Sequence, residues 1–272
     1  KGRLNRNFWH KHGHTVIIYV FLAALMVFVS IFNKDFFTLG NFKNLLRSSF
    51  PLLMAALGQT LIILTGGIDL SLGGIVALCN VVCVMSMNPD SAWGFVPALG
   101  AAAAVGLACG AVNGVLVTKG RLAPIIVTIA TTAVFDGMAL LLMPNPGGSV
   151  HKAFAKFLTR GYSGAVPFLL FILILCLVRS LANSTPYGKA LRAIGGSENA
   201  AYSTGIRVGK IKFCAYCLAG LLCAVAGIFL SAQMNSADAT IGKNYAMNAI
   251  TATVVGGTAM TGAVGDPLGT IA

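Results

Sequence analysis

Residues 64–74 read LTGGIDLSLGG. Asp69 stands between two long apolar runs, with Gly66 and Gly67 before it and Gly73 and Gly74 after it. A charge at membrane depth is unfavourable by roughly 2.5–3.5 kcal/mol on insertion scales. One carboxylate and four glycines between apolar runs therefore mark a helix break with a purpose. In one reading the chain turns at Gly66 and Gly67 and Asp69 opens the next helix as its N-cap, where an anion satisfies orphan N–H groups and meets the positive helix end. In the other, the break and Ser71 face a polar cavity, because irregular backbone at membrane depth occurs only inside protein or beside water. Both can hold at once. Depth depends on the preceding helix. A start near Asn41 puts the break close to the inner face, and a start at Pro51 puts it inside a core ~30 Å thick.

The rest of the chain shows why membrane depth is the right frame. Of 272 residues 57% are hydrophobic and 10% charged, whereas soluble domains carry about 25% charged residues. Runs of 18 or more uncharged residues recur, each long enough to span a bilayer. The predicted fold is all-α, a polytopic transmembrane helical bundle forming one domain over 1–272, with about 8–9 spans here. Predicted spans are Thr15–Asn33, Asn41 to about Thr65 with Pro51 inside, Ile68–Met87, Trp93–Thr118, Leu122–Met143, Ala165–Ala182 and Ile211–Gln233. From Asn248 the chain is glycine-rich and ambiguous, with a further span expected near Val264. The chain starts at Lys1 and ends in an apolar run, and is expected to be part of a longer protein.

The net charge of +12 would suggest nucleic acid in a soluble protein. In a membrane protein it reads as orientation, because Lys and Arg accumulate in cytoplasmic loops. With the N-terminus inside, 12 of the 19 basic residues fall inside and 7 outside, which favours a cytoplasmic N-terminus. The outer loop 144–164 is nonetheless basic. No nucleic-acid partner is expected; membrane lipid is.

Gly106, Gly110 and Gly114 repeat every four residues with Ala102 in the same row, and Ala215, Ala219, Cys223 and Gly227 do the same. Small residues at this spacing let helix backbones approach closely. Cys214 and Cys217 form a CxxC among apolar neighbours, where helix packing is favoured over metal or redox chemistry. His10, His12 and His14 read as a basic juxtamembrane segment rather than a metal site. No GxxxxGK[ST] loop is present; Gly205, Gly209, Lys210 and Ile211 fail its spacing and its hydroxyl. The chain is therefore expected not to bind or hydrolyse ATP, and no catalytic residues, cofactor or metal are expected.

Residues 183–212 form the longest inner polar segment. Thr185 and Pro186 can start a short helix, and Ser197 can cap a second that begins at Glu198. Ala190, Gly195, Gly196, Ala200 and Ala201 leave a shallow surface on which another protein could dock. Taken alone, the segment reads first as an ordinary solvated, positive-inside loop.

LTGGIDLSLGGIVAL resembles the signature of the permeases of bacterial ABC importers for sugars, of the ribose, xylose and galactoside type. Four further stretches agree in order: DFFTLGNFKNLLRSS (35–49), GAVNGVLVTKGRLAPIIVTIAT (110–131), TPYGKALRAIGGSENAAYSTGIRVGKIK (185–212) and AITATVVGGTAMTGAVGDPLGT (249–270). Two places depart from the pattern, at Phe135, Asp136 and Gly137 and at Met247, Asn248 and Ala249. The resemblance implies a multi-pass permease of the bacterial inner membrane, with about 10 spans in the full chain, each of ~20 residues. It implies a second permease chain, identical or related, a periplasmic solute-binding protein, and two ATPase subunits that hold ATP and Mg²⁺. It implies that 183–212 is the cytoplasmic coupling loop, with Tyr187, Gly188, Ala190, Gly195, Gly196, Glu198, Ala200 and Ala201 facing the ATPase. Candidates for the translocation path and its break are Thr65, Gly66, Gly67, Asp69, Ser71, Asn113, Thr128, Thr131 and Asp136. A branched-chain amino acid or nucleoside permease is the alternative within the superfamily, and an ion-coupled carrier the alternative outside it. A carrier would show paired breaks with acidic ion ligands in both.

Overall fold

The computed structural model describes residues 19–91 and 93–271. His10, His12, His14 and the start of the first predicted span lie outside the described residues. Eleven helices follow one another along the described chain. They are α1 (Tyr19–Phe32), α2 (Leu39–Ile63), α3 (Leu72–Met85), α4 (Phe95–Thr118), α5 (Pro124–Leu142), α6 (Lys152–Ser184), α7 (Pro186–Gly196), α8 (Glu198–Ser203), α9 (Val208–Met234), α10 (Tyr245–Val255) and α11 (Pro267–Thr270). Five apolar segments are long enough to cross a membrane: α2, α4, α5, Gly164–Ser184 of α6, and α9. Helices α1, α3 and α10 are apolar but shorter. The 8–9 predicted spans thus become five full-length segments and three short ones.

Helix α9 is the central post, packed against α2, α3 and α4. Two rows of small residues make this possible. Gly106, Gly110 and Gly114 of α4 lie against the backbone of α9. A Cβ on Gly110 would stand 2.3 Å from the Tyr216 carbonyl oxygen, and one on Gly106 2.4 Å from that of Gly220. The other row, Ala215, Ala219, Cys223 and Gly227, is fully or almost fully buried and faces the other way. Ala219 meets Gly58 of α2, and Gly227 meets Val76 and Asn80 of α3. Phe50 of α2 stacks on Phe229 of α9 at 4.1 Å. Such contacts hold membrane helices together through van der Waals packing, since lipid offers no hydrophobic drive between them.

Helix α2 starts at Leu39, capped by Thr38, whose hydroxyl accepts from Asn41 N–H at 3.3 Å. Asn41, where the sequence placed the start of this span, donates from its side chain to the Phe36 carbonyl. At 25 residues the helix is about 37 Å long, more than the ~30 Å hydrocarbon core. The break after it therefore lies at the end of a complete crossing. Helix α3, with 14 residues, covers only about 21 Å.

Two corrections concern regions that sequence left as loops. The basic segment predicted as outer loop 144–164 contains ten helical residues at the head of α6. Left-handed φ values at Tyr162 (46°) and Gly164 (92°) separate residues 152–161 from the spanning part. The glycine-rich region contains α10, starting at Tyr245, then an irregular stretch. The last helix starts at Pro267 rather than near Val264, with Asp266 as its cap accepting from Leu268 N–H at 3.0 Å.

Candidate functional site

The break between α2 and α3 is the centre of a buried polar knot. Gly66 takes φ 77°, a left-handed turn that glycine adopts without steric cost. The chain then runs without regular secondary structure to Ser71. Asp69 is 1% exposed. Its Oδ1 accepts from Ser71 N–H at 2.7 Å and from Ser71 Oγ at 2.6 Å. The α4 residue Asn113 donates from Nδ2 to Ser71 Oγ at 2.7 Å and to Asp69 Oδ2 at 3.4 Å. The α2 residue Gln59 brackets the Asp69 backbone with its amide, at 3.1 and 3.3 Å. From α5, Thr128 reaches the Ile68 carbonyl at 3.4 Å. Three spanning helices are thus tied to one turn of backbone.

Helix α3 begins at Leu72, with Ser71 at the N-cap position making no side-chain cap. Asp69 is therefore not the N-cap that its position suggested. It sits two residues earlier and folds back over Ser71 as an Asx turn, which orients the serine hydroxyl toward Asn113.

Of the nine candidate path residues, Gly66 is exposed and Asp136 half-buried; Thr65, Gly67, Asp69, Ser71, Asn113, Thr128 and Thr131 are buried. In this conformation Asp69, Ser71 and Asn113 bond to one another, so for these three a structural role is what the geometry supports. Asp136 stands apart on α5. Its Oδ1 lies 3.0 Å from where a Cβ on Gly74 would be, in the first turn of α3, where a helix end favours an anion. No Lys or Arg lies within ion-pair distance of it among the described residues.

Sequence reasoning did not find the second half of this site. The irregular stretches around α10 fold back against the first break. Gly242 and Gly73 touch backbone to backbone, a Cβ on either falling within 2.2 Å of the other's carbonyl oxygen. Gly262 and Ala263, both with left-handed φ, lie against Gly66 N–H and Gly195. Ala263 N–H also donates to the Leu64 carbonyl at 3.2 Å. A second glycine-rich run late in the chain was the available signal. Gln59 could have been found too, as an amide in an otherwise apolar span.

The polar segment 183–212 folds as two short helices, α7 and α8, with the expected caps. Thr185 Oγ1 accepts from Gly188 N–H at 3.2 Å and Ser197 Oγ from Ala200 N–H at 3.3 Å. Of its candidate docking residues, Gly196, Glu198 and Ala200 are exposed and Tyr187, Ala190 and Gly195 half-buried. Gly188 and Ala201 are buried and belong to the packing of the segment on itself. Gly188 sits on the Ala182 carbonyl at the end of α6. Tyr187 donates to the Ile211 carbonyl at 3.3 Å, and burial pushes its phenol above its ordinary pKa, which keeps it a neutral donor. Glu198 pairs with Lys212 at 2.5 Å. Ser197, Glu198, Asn199, Tyr202 and Val208 line an open hollow of about 500 Å³.

The end of α7 is wedged into the break. A Cβ on Gly195 would stand 2.1 Å from the Leu64 carbonyl oxygen and 2.4 Å from the Ala263 nitrogen. Arg192 donates to the Ala263 carbonyl at 3.4 Å and to the Asn183 side-chain oxygen. Gly195→Ala is therefore expected to push α7 off the break. In thermal unfolding the loss should be about 1–3 kcal/mol, the range for overpacking.

The family model described as branched-chain amino acid transport system / permease component matches residues 41–272. The ribose import permease protein RbsC of Bacillus subtilis is 38% identical over 259 residues, covering 92% of this chain and 78% of the relative. The protein of the same name from Escherichia coli K12 is 34% identical, covering 92% and 79%. The fructose import permease protein FruF of Bifidobacterium longum is 32% identical, covering 89% and 72%. No solved structure matches the chain.

Proposed function

Because the chain belongs to the family of branched-chain amino acid transport system permease components, we propose that it forms the translocation path of an ATP-driven importer for a monosaccharide or sugar-like solute. The names of its relatives, which include ribose, fructose and autoinducer 2 import permeases, support a sugar over a branched-chain amino acid. In this reading the chain is not an enzyme. Two permease chains enclose the path, a periplasmic binding protein delivers the solute, and two ATPase subunits hold ATP and Mg²⁺. The N-terminus and the α7–α8 segment face the cytoplasm of a bacterial inner membrane.

One observation carries the mechanism: Gly195 of α7 is in backbone contact with both the α2–α3 break and the 262–263 turn. A displacement of α7 and α8 by a closing ATPase would reach Leu64 and Ala263 in the same movement. Packed interfaces of this kind switch as rigid bodies rather than deforming gradually. The exposed end of the segment, around Gly196, Glu198 and Ala200, is what the ATPase would hold.

The test is uptake into proteoliposomes. Solute entry should require ATP and the partner ATPase; uptake driven by an ion gradient in their absence would overturn the proposal. Glu198→Arg sharpens it. The lost pair with Lys212 is largely exposed on the Glu198 side, and such pairs are worth about 0–1 kcal/mol, so folding should be nearly unchanged. A reversed charge at a docked interface is far more disruptive, and ATP-driven uptake is expected to fall on the order of tenfold or more. Uptake equal to that of the wild type would count against docking there.

A further inference from the structure

At the opposite end of the bundle from α7, basic side chains from α2 and α6 surround a hollow of about 290 Å³. Arg47, Lys152, Lys156 and Arg160 line it, with Thr159 and, from α9, Gln233. The chain has seven acidic residues, and among the described residues no carboxylate comes within ion-pair distance of any of these four cations. None of the four makes a side-chain hydrogen bond among the described residues. Lys152, Lys156 and Arg160 are exposed and Arg47 half-buried, and four cations converging without a counter-charge raise a positive potential that attracts an anion. Gln233 adds a second demand: its Oε1 is buried with no hydrogen-bond partner. A buried acceptor left empty costs about 1–3 kcal/mol.

The short helix 152–161 shows where the missing partner comes from. Lys152, Lys156 and Arg160 lie on one face, at i, i+4 and i+8. Phe154, Phe157 and Leu158 lie on the other, beside an apolar groove of about 530 Å³ shared with Phe95 and Ile228. Phe154 stacks on Phe95 at 5.1 Å, while Phe157 is 53% exposed and Tyr162, at the elbow into the spanning part, 84% exposed. A basic, amphipathic helix with exposed aromatics at a turn is the form that lies in the plane of a membrane surface. The stem of Lys43 runs across Gly164 at the same elbow, adding a fifth cation nearby.

We propose that this hollow binds the headgroup of an anionic glycerophospholipid. The phosphate lies among Arg47, Lys152, Lys156 and Arg160, a headgroup hydroxyl donates to Gln233 Oε1, and an acyl chain runs down the adjoining apolar surface. Charge, the orphaned acceptor and the interfacial helix all ask for this chemistry at this depth. The site also accounts for a cluster of basic residues on the face where the general bias of membrane proteins places fewer of them.

The test uses the full chain with its partner subunits, purified in mild detergent. Native mass spectrometry should find phosphatidylglycerol or a related anionic lipid retained. Phosphatidylglycerol nanodiscs should raise the unfolding temperature and phosphatidylcholine nanodiscs should not. K152E/K156E/R160E should weaken retention roughly a hundredfold, given the attraction each Lys or Arg contributes near an anionic surface. Arg47→Gln, on a different helix, should weaken it roughly tenfold without disturbing residues 152–161. Lys119→Glu at the other end should leave it unchanged. Equal retention in the wild type and in both pocket variants would overturn the proposal. So would a stabilisation reproduced by inorganic phosphate alone, which would mean a free-anion site. Loss of solute-binding-protein docking with lipid retention intact would assign the hollow to an acidic protein surface instead. None of these readouts depends on ATP-driven uptake, so the lipid site and the importer reading can fail separately.

Discussion

Replacing Asp69 by leucine is expected to remove most of the folded protein from the membrane. The carboxylate accepts from Ser71 N–H, Ser71 Oγ and Asn113 Nδ2, all fully buried. Leucine leaves Ser71 N–H and Ser71 Oγ without an acceptor, at about 1–3 kcal/mol for each, while Asn113 Nδ2 keeps its bond to Ser71 Oγ. The sum, on the order of 2–6 kcal/mol, compares with a total stability of roughly 5–15 kcal/mol for a typical domain. The loss is also concentrated where α2, α3, α4 and α5 are joined. Asp69→Asn keeps one acceptor for Ser71 and places an amide N–H₂ opposite Asn113. Because Asn113 Oδ1 has no partner at present, a turn of that amide restores the contact, and the penalty should be about 1–2 kcal/mol. Membrane yield and thermal unfolding in detergent order the series as wild type, Asn, then Leu. A leucine variant with wild-type yield and unfolding temperature would mean that the knot does not hold the break.

The second large effect is expected at Gly110. A Cβ there would lie 2.3 Å from the Tyr216 carbonyl oxygen and 3.0 Å from the Cys217 Cα. These are backbone atoms of the central helix and have no flexible end to move aside. Gly110→Ala should cost about 1–3 kcal/mol, the usual range for overpacking. Gly110→Leu should force α4 and α9 apart and prevent assembly. Gly100 is the internal control. It sits on the same helix with nothing within 4 Å of its Cβ position, so Gly100→Leu should be neutral within about 0.5 kcal/mol. If both leucine variants behave alike in unfolding and yield, the close approach of α4 and α9 is not what stabilises the bundle.

These two positions differ in how far the sequence announced them. The glycine row on α4 is legible because its period matches a helix face, and a face of small residues has one common use in a membrane. What it touches was not legible, since Gly220 and Ala224 of α9 lie over a hundred residues away. Asp69 announced a break but not its geometry. Whether a carboxylate caps the next helix or folds over Ser71 depends on where Asn113 stands, and α4 decides that. The helix 152–161 was read as loop because its charge density argues against a span, while its amphipathic pattern covers fewer than three turns. Its apolar face acquires meaning only with Phe95 beneath it.

The sequence by itself determined that this chain is a helical membrane protein, where the first break falls in the chain, and that 183–212 folds as two short capped helices. These follow from local terms: hydropathy over a run of residues, capping side chains, and the need of every backbone group in lipid for an internal partner. Only the tertiary structure decided that the Gly66 turn, the Gly262–Ala263 turn and the end of α7 meet at one point, and that four cations gather unpaired at the other end. Those are contacts between segments far apart in the chain. They are set by how closely glycine-bearing backbones can pack, which no single stretch of sequence encodes.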